Sequence, residues 1–199
     1  DLHFDNYFWL THLPRRYAEL FGLDLARVSN RISRRLSERQ GTLEWYSTDF
    51  WSRELGVDIV ALKREVQHLI GERPKVIEFL RNLFLQGKRR ILVTNADKNS
   101  IEIKFSQTSI ACHLDWIVSS HDFGIPKEQN EFWSMLQQHI VFDPQRTLFI
   151  DDSEPVLRSA KLYGISNLRG IARPDSHLAR KTSAEFMIIE DFDDLLLPS

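Results

Sequence analysis

Two adjacent carboxylates, Asp151 and Asp152, end the apolar run Leu148-Phe149-Ile150 and stand directly before Ser153 and Glu154, which read as a helix start. Side by side at the mouth of a buried strand, two acids are costly unless a cation shares them, and an all-oxygen pair suits a hard ion such as Mg²⁺. The same segment also permits a plainer arrangement, with one acid capping the helix and the other solvated. Still, the turn from a buried strand into a helix is where open α/β sheets place their ligands.

Two other strand ends carry complementary groups. Arg90-Ile91-Leu92-Val93 runs into Thr94-Asn95-Ala96-Asp97, bringing a hydroxyl and an amide to a strand's carboxyl end, where neighbouring backbone N–H groups could join them around an anionic oxygen. Thr and Asn are also ordinary turn residues, so this signal is weak alone. Trp116-Ile117-Val118 leads through His121-Asp122-Phe123-Gly124-Ile125 to Pro126-Lys127. Pro126 suits a first helical turn, where the helix dipole disfavours a lysine, so Lys127 has some claim to a role beyond surface charge. Together the three ends supply two carboxylates for a metal and a hydroxyl and an ammonium for phosphate oxygens. No nucleophile accompanies them: Cys112 falls in a helix-to-strand connection at the opposite edge, and no G-x-S-x-G elbow exists.

Alternating elements must position these groups. From 74 onward the pattern predicts helix 75–86, strand 89–94, helix 98–108, strand 115–119, helix 127–139, strand 146–150, helix 154–163 and strand 166–171. A last strand at 186–189 and a short terminal helix follow. Regular βα alternation implies a parallel sheet with all three strand ends on one edge. Residues 1–73 have another texture, with apolar side chains at three- and four-residue spacing, as in Leu43, Tyr46, Phe50, Trp51 and Leu55. Helices are expected near 5–20, 24–39, 43–55 and 58–70, broken at Gly22, Gly41 and Gly56. The sequence therefore divides into a helical bundle, 1–73, and an α/β unit, 74–199. Ten of the chain's 22 aromatic residues precede position 52, which suits a core, although some rings could line a pocket for a planar ligand.

Composition narrows the partners. With 26 basic and 28 acidic residues, no overall field points to a nucleic acid polymer or an anionic membrane. Arg27, Arg31, Arg34, Arg35 and Arg39 recur at helical spacing and read as a solvated face. No apolar run is long enough to span a bilayer, no signal-peptide pattern opens the chain, and the single cysteine, Cys112, suits a reducing compartment. A cytoplasmic protein is expected; oligomeric state is not legible.

The order Thr94, Lys127, Asp151-Asp152 resembles motifs II, III and IV of the haloacid dehalogenase (HAD) superfamily of phosphohydrolases. More narrowly, FDNYFW at 4–9, LEWYSTDFWSRELGVDI at 43–59, ILVTNAD, FGIPKE and TLFIDDSE resemble the bacterial GMP/IMP 5′-nucleotidase branch, over essentially the whole chain. The resemblance implies a HAD-like Rossmannoid parallel sheet (α/β) with a helical-bundle cap, and Mg²⁺-dependent hydrolysis of a phosphate monoester through an aspartyl-phosphate. It implies catalytic roles for Lys127 and Thr94, phosphate contacts from Thr94, Asn95 and Lys127, and metal ligation by Asp151 and Asp152. A small phosphorylated substrate, a purine nucleotide, is the implied partner, with Tyr7 or Trp9 as stacking candidates.

One departure concerns the attacking group. The family's first motif, an apolar strand followed by D-x-D-G-T, is absent. Asp1 and Asp5 do not replace it, being four rather than two apart and leading into an aromatic helix. That strand would lie at the sheet centre, between those ending in Thr94 and Asp151, so the natural protein is expected to carry residues ahead of Asp1. Rival readings are a HAD phosphatase for a sugar phosphate or phosphoglycolate, a 2-haloacid dehalogenase, and an inactive phosphate-binding module.

Overall fold

The computed structural model describes residues 2–196. Helix α1 (His3–Tyr7) widens through a π-helical turn, Phe8–His12, into α2 (Leu13–Phe21), followed by α3 (Leu25–Arg39), α4 (Leu43–Tyr46), α5 (Thr48–Leu55) and α6 (Ile59–Glu65). Local chemistry sets these limits. The carboxylates of Asp24 and Asp58 and the hydroxyl of Ser47 accept from the third backbone N–H beyond them, at 2.9, 2.9 and 3.1 Å, and so start α3, α6 and α5. Gly22 and Gly56 end α2 and α5 at φ 61° and 69°, a conformation in which a side chain is strained. Along α3 the buried stripe is Val28, Ile32 and Leu36, while Arg27, Arg31, Arg34 and Arg39 are exposed, the expected solvated face.

The remaining elements alternate: α7 (Val76–Leu85), β1 (Ile91–Thr94), α8 (Lys98–Ser106), β2 (Trp116–Ser119), α9 (Asn130–His139), β3 (Leu148–Asp151), α10 (Glu154–Tyr163), β4 (Asn167–Ile171) and β5 (Met187–Ile189). All pairings are parallel. β1 lies on β2, with Thr94 opposite Ser119, and β3 lies on β4, with Asp151 opposite Gly170; β4 then pairs β5. Among the described residues no ladder joins β1 to β3, so the sheet consists of β1-β2 and β3-β4-β5, each with one of these strands at an edge. Residues Ile91 to Thr94 are all only half-buried, unusual for an apolar parallel strand.

Packing follows the two textures. One apolar cluster is built from residues 4 to 70, around Phe4, Phe8, Leu13, Trp51 and Ile59, and admits Ile103 from α8. Two others come wholly from residues beyond 75, around Phe132, Trp133 and Leu157 on one side and Val76, Phe79 and Leu80 on the other. Side chains from both sheet pieces share the Trp133 cluster, since Val93 and Phe149 both pack against it. No helix among the described residues is long and apolar enough to cross a membrane.

Several expected limits move. The 43–55 helix breaks at Ser47, whose extended backbone lets its hydroxyl cap α5. The 58–70 helix ends at Glu65 and continues as the 3₁₀ turn Gln67–Leu69, and the terminal helix is a 3₁₀ turn, Phe192–Leu195. α9 starts at Asn130 rather than 127, which places Pro126 and Lys127 in a turn before it. The helix-dipole argument for Lys127 therefore fails, and its position needs another reason.

Candidate active site

That reason is the carboxyl edge of the sheet. Lys127 is buried, and its Nζ donates to Asp151 Oδ2 at 2.5 Å. Its backbone N–H donates to Asn95 Oδ1 at 2.9 Å, so the turn at 127 is tied to the end of β1 by its backbone and to the end of β3 by its side chain. The Lys127 turn thus meets the ends of both β1 and β3, and Lys127 bridges two sheet pieces that no ladder joins among the described residues.

Each carboxylate has a different environment. Asp151 Oδ1 accepts from Ser153 N at 2.9 Å, closing the tight turn into α10; Ser153, expected to cap that helix through its hydroxyl, makes no such bond. Asp151 therefore does part of the capping that the sequence assigned to Ser153. Asp152 reaches solvent yet stands among dense protein, so burial, and after it the charge of Asp151, push its carboxyl above the usual range, against the opposing pull of Lys127. Asp151, Asp152 and Lys127 together leave one surplus negative charge on an oxygen-only donor pair. A hard divalent cation that keeps several waters fits such a pair.

Thr94 Oγ1 accepts from Ala96 N at 3.1 Å, which leaves its hydroxyl proton free to point elsewhere. Asn95 is otherwise engaged. Its oxygen holds Lys127 N and its amide donates to Glu128 Oε2 at 2.8 Å, so its side chain braces the lysine turn instead of reaching outward. Ser119, opposite Thr94, donates to Ala96 O at 2.7 Å and ties down the loop after β1. Cys112 is exposed in a 3₁₀ turn and donates to Ser109 O, taking no part in this edge.

Sequence reasoning missed the residues that couple the helical half to this edge. Tyr46 donates to Glu128 Oε1 at 2.9 Å; burial, then the Glu128 charge, push its phenol above the usual range and keep it a donor. Asp97 Oδ2 accepts from Thr48 N and Thr48 Oγ1, both at 2.6 Å, while Oδ1 caps α8 through Ser100 N at 2.9 Å. Burial opposes the charge on Asp97, yet those hydrogen bonds hold its carboxyl below the usual range. Tyr46 and Thr48 lie in the aromatic stretch whose apolar spacing signals only a helix. Trp9, a stacking candidate, packs edge-on to Phe8 at 5.0 Å and Trp51 at 5.8 Å and belongs to the helical core; Tyr7 packs on the same core, partly buried.

Residues 17–169 match the haloacid dehalogenase-like hydrolase family, and the strand-end order of hydroxyl, lysine and paired acids falls within that stretch. The chain belongs to that family. It is 36% identical over 196 residues to the GMP/IMP nucleotidase YrfG of Escherichia coli (strain K12), spanning 98% of this chain and 88% of that protein, and equally similar to that of Shigella flexneri. In fold this HAD-like hydrolase matches a HAD phosphatase from Thermococcus onnurineus at a TM-score of 0.80, with 17% identity over 96% of this chain and 89% of the other. The L-2-haloacid dehalogenase of Xanthobacter autotrophicus matches at 0.56, with 14% identity over 97% and 80%. The HAD-like α/β fold expected from sequence is the one observed.

Proposed function

We propose that this protein is a cytoplasmic Mg²⁺-dependent phosphate monoester hydrolase that acts on purine nucleoside 5′-monophosphates, GMP and IMP, through an aspartyl-phosphate. The observation that carries the reading is the buried Lys127–Asp151 contact, braced by Asn95 and set beside Asp152 and Thr94 at one sheet edge. Likeness to nucleotidases over nearly the whole chain supports the purine substrate. In this reading residues 1–73 form the cap and 74–199 the catalytic core.

Asp151 and Asp152 would hold the metal. Bound there, Mg²⁺ would draw negative charge off the phosphate oxygens. Lys127 screens the phosphate from the paired acids, and Thr94 donates its free hydroxyl proton to a non-bridging oxygen of the transferring group. The phosphate ester also needs an attacking carboxylate, which none of the described strand ends supplies. The unpaired edges of β1 and β3 support a further strand between them, with its aspartate at the same carboxyl edge as Thr94 and Asp151. That aspartate forms a bond to phosphorus as the nucleoside oxygen leaves, and water then cleaves the aspartyl-phosphate.

The test is phosphate release by the natural-length protein from GMP, IMP, sugar phosphates, phosphoglycolate and 2-haloacids, with Mg²⁺ and with EDTA. Turnover confined to the purine monophosphates and abolished by EDTA is expected. Preference for another ester overturns the substrate, metal-independent dehalogenation overturns the reaction, and tight binding without turnover leaves only the inactive binding module.

A further inference from the structure

The start of α1 and the loop after β4 bring three metal-capable side chains together. His3 Nδ1 lies 3.1 Å from His177 Nδ1 and 3.5 Å from Asp175 Oδ1, and the three donor atoms all fall within 4.8 Å of one another. The two rings lie edge to face, with centroids 3.7 Å apart and planes inclined by 65°, so their close nitrogens can share a proton or, after a ring rotation, a cation. Zinc holds nitrogen and oxygen ligands at about 2.0 to 2.2 Å, which puts neighbouring ligands of a tetrahedral site about 3.3 to 3.5 Å apart. Two of the three pairs, at 3.1 and 3.5 Å, lie near that edge length, and the third, His177 with Asp175, stays within 4.8 Å.

The surroundings give the cluster the build of a site. Leu2 N donates to Pro174 O at 2.7 Å and ties the start of the chain to the loop that carries Asp175 and His177. Asp175 is buried, and its two oxygens are oriented separately: Oδ2 accepts from Asn6 Nδ2 at 2.8 Å and Oδ1 from His177 N at 2.9 Å. Hydrogen bonds of this kind hold a carboxylate ligand in place. His177 is exposed and His3 partly so, which leaves one side of the trio open to water. Two imidazoles and one carboxylate favour a borderline ion over Mg²⁺, whose preference is for oxygen alone.

We propose that His3, Asp175 and His177 form a second cation site, selective for Zn²⁺ or a similar first-row transition-metal ion, with solvent in the remaining position. It uses neither Asp151 nor Asp152 and does not rest on the hydrolase reading above.

The test is Co²⁺ titration of the full chain, followed by visible absorption and calorimetry with excess Mg²⁺ present, then displacement by Zn²⁺. One equivalent should bind with the strong visible bands of four- or five-coordinate Co²⁺ and be displaced by Zn²⁺. His177→Ala, at an exposed position that should not disturb folding, and His3→Gln should each weaken binding by about 100-fold or more, and Asn6→Ala by about tenfold through loss of ligand orientation. Asp151→Asn should leave the spectrum unchanged. Absence of uptake, weak six-coordinate bands, displacement by Mg²⁺, or binding unaltered by both histidine variants would each overturn the proposal, and none of these depends on phosphatase activity.

Discussion

Lys63 and Lys127 are both buried lysines that reach an aspartate, Asp5 at 3.2 Å and Asp151 at 2.5 Å, but the third charge in each group differs. Asp5 also receives Lys104 at 2.6 Å, so that group carries one surplus positive charge, and the Lys63 ammonium lies 5.4 to 5.6 Å from the ring centres of Phe4, Phe8 and Trp9. Lys104 is a third exposed and keeps its charge in contact with water, while the aromatic faces offset part of the cost of burying Lys63. Asp151 instead has Asp152 beside it, and the surplus is negative and open to solvent. A charge cluster shared between buried lysine, acid and aromatic walls holds structure together, whereas one left with surplus negative charge at a strand end calls for a ligand.

The largest expected effects fall on the second cluster. In the natural-length protein, Asp151→Asn and Lys127→Ala should each lower kcat by about 10²- to 10³-fold or more, the scale for removing a group that stabilises developing charge. Phosphate release measures this, and near-normal turnover of either variant removes the assignment. At the first cluster the loss should be of stability. Asp5→Ala leaves Lys63 buried without its acid and should cost about 3 to 5 kcal/mol in urea unfolding. A fully stable Asp5→Ala would mean that the aromatic walls suffice and that the contrast between the clusters is wrong.

Acidity sharpens the comparison. Burial disfavours a charged Asp5, but Lys104 and then Lys63 outweigh it and hold its carboxyl far below the usual range. With the folded value depressed, its stabilisation is present above the unfolded value of about 3.9 and is lost as pH falls toward the folded one. Asp152 has the opposite sign, because its raised folded value gives a contribution complete below about 3.9 and lost as pH rises through the folded value. Asp5→Asn should therefore flatten the stability loss below about pH 4, and Asp152→Asn should raise Tm at neutral pH in EDTA. Mg²⁺ at a hundredfold excess over its Kd should stabilise the parent by about 2.7 kcal/mol, an increment smaller in Asp152→Asn. No Mg²⁺-dependent rise in Tm in the parent would separate the paired acids from metal binding.

How much of this was legible in the sequence depended on whether a feature was local. The strands ending in Thr94 and Asp151, the glycine breaks and the arginine face of α3 depend on nearby residues, and they were found to within a few positions. The start of α9 was not, because Lys127 N is held by Asn95 Oδ1 from another strand end, which fixes the 126–128 segment as a turn that helix signals cannot reveal. Spacing marks Asn95 as a phosphate contact but cannot show that its side-chain oxygen holds Lys127 N and its amide donates to Glu128. The His3–Asp175–His177 trio was invisible for the same reason, since His3 lies 172 and 174 positions along the chain from Asp175 and His177.

The smallest expected effect tests whether the two halves communicate. From α4, Tyr46 donates to Glu128 Oε1, whose second oxygen takes the Asn95 amide, and Asn95 in turn holds Lys127 N. Tyr46→Phe removes one hydrogen bond from a carboxylate that keeps its Asn95 partner, so the stability loss should be about 1 kcal/mol. If Tyr46 only positions the lysine turn, kcat should fall about two- to tenfold, corresponding to about 0.4 to 1.4 kcal/mol, with the Mg²⁺ dependence unchanged. Glu128→Gln, which keeps the shape but turns one of the two acceptor oxygens into an N–H donor, should behave similarly. A Tyr46→Phe loss as large as that of Lys127→Ala would place the phenol among the reacting groups, and the boundary between a helical half that positions and a sheet edge that reacts would have to be redrawn.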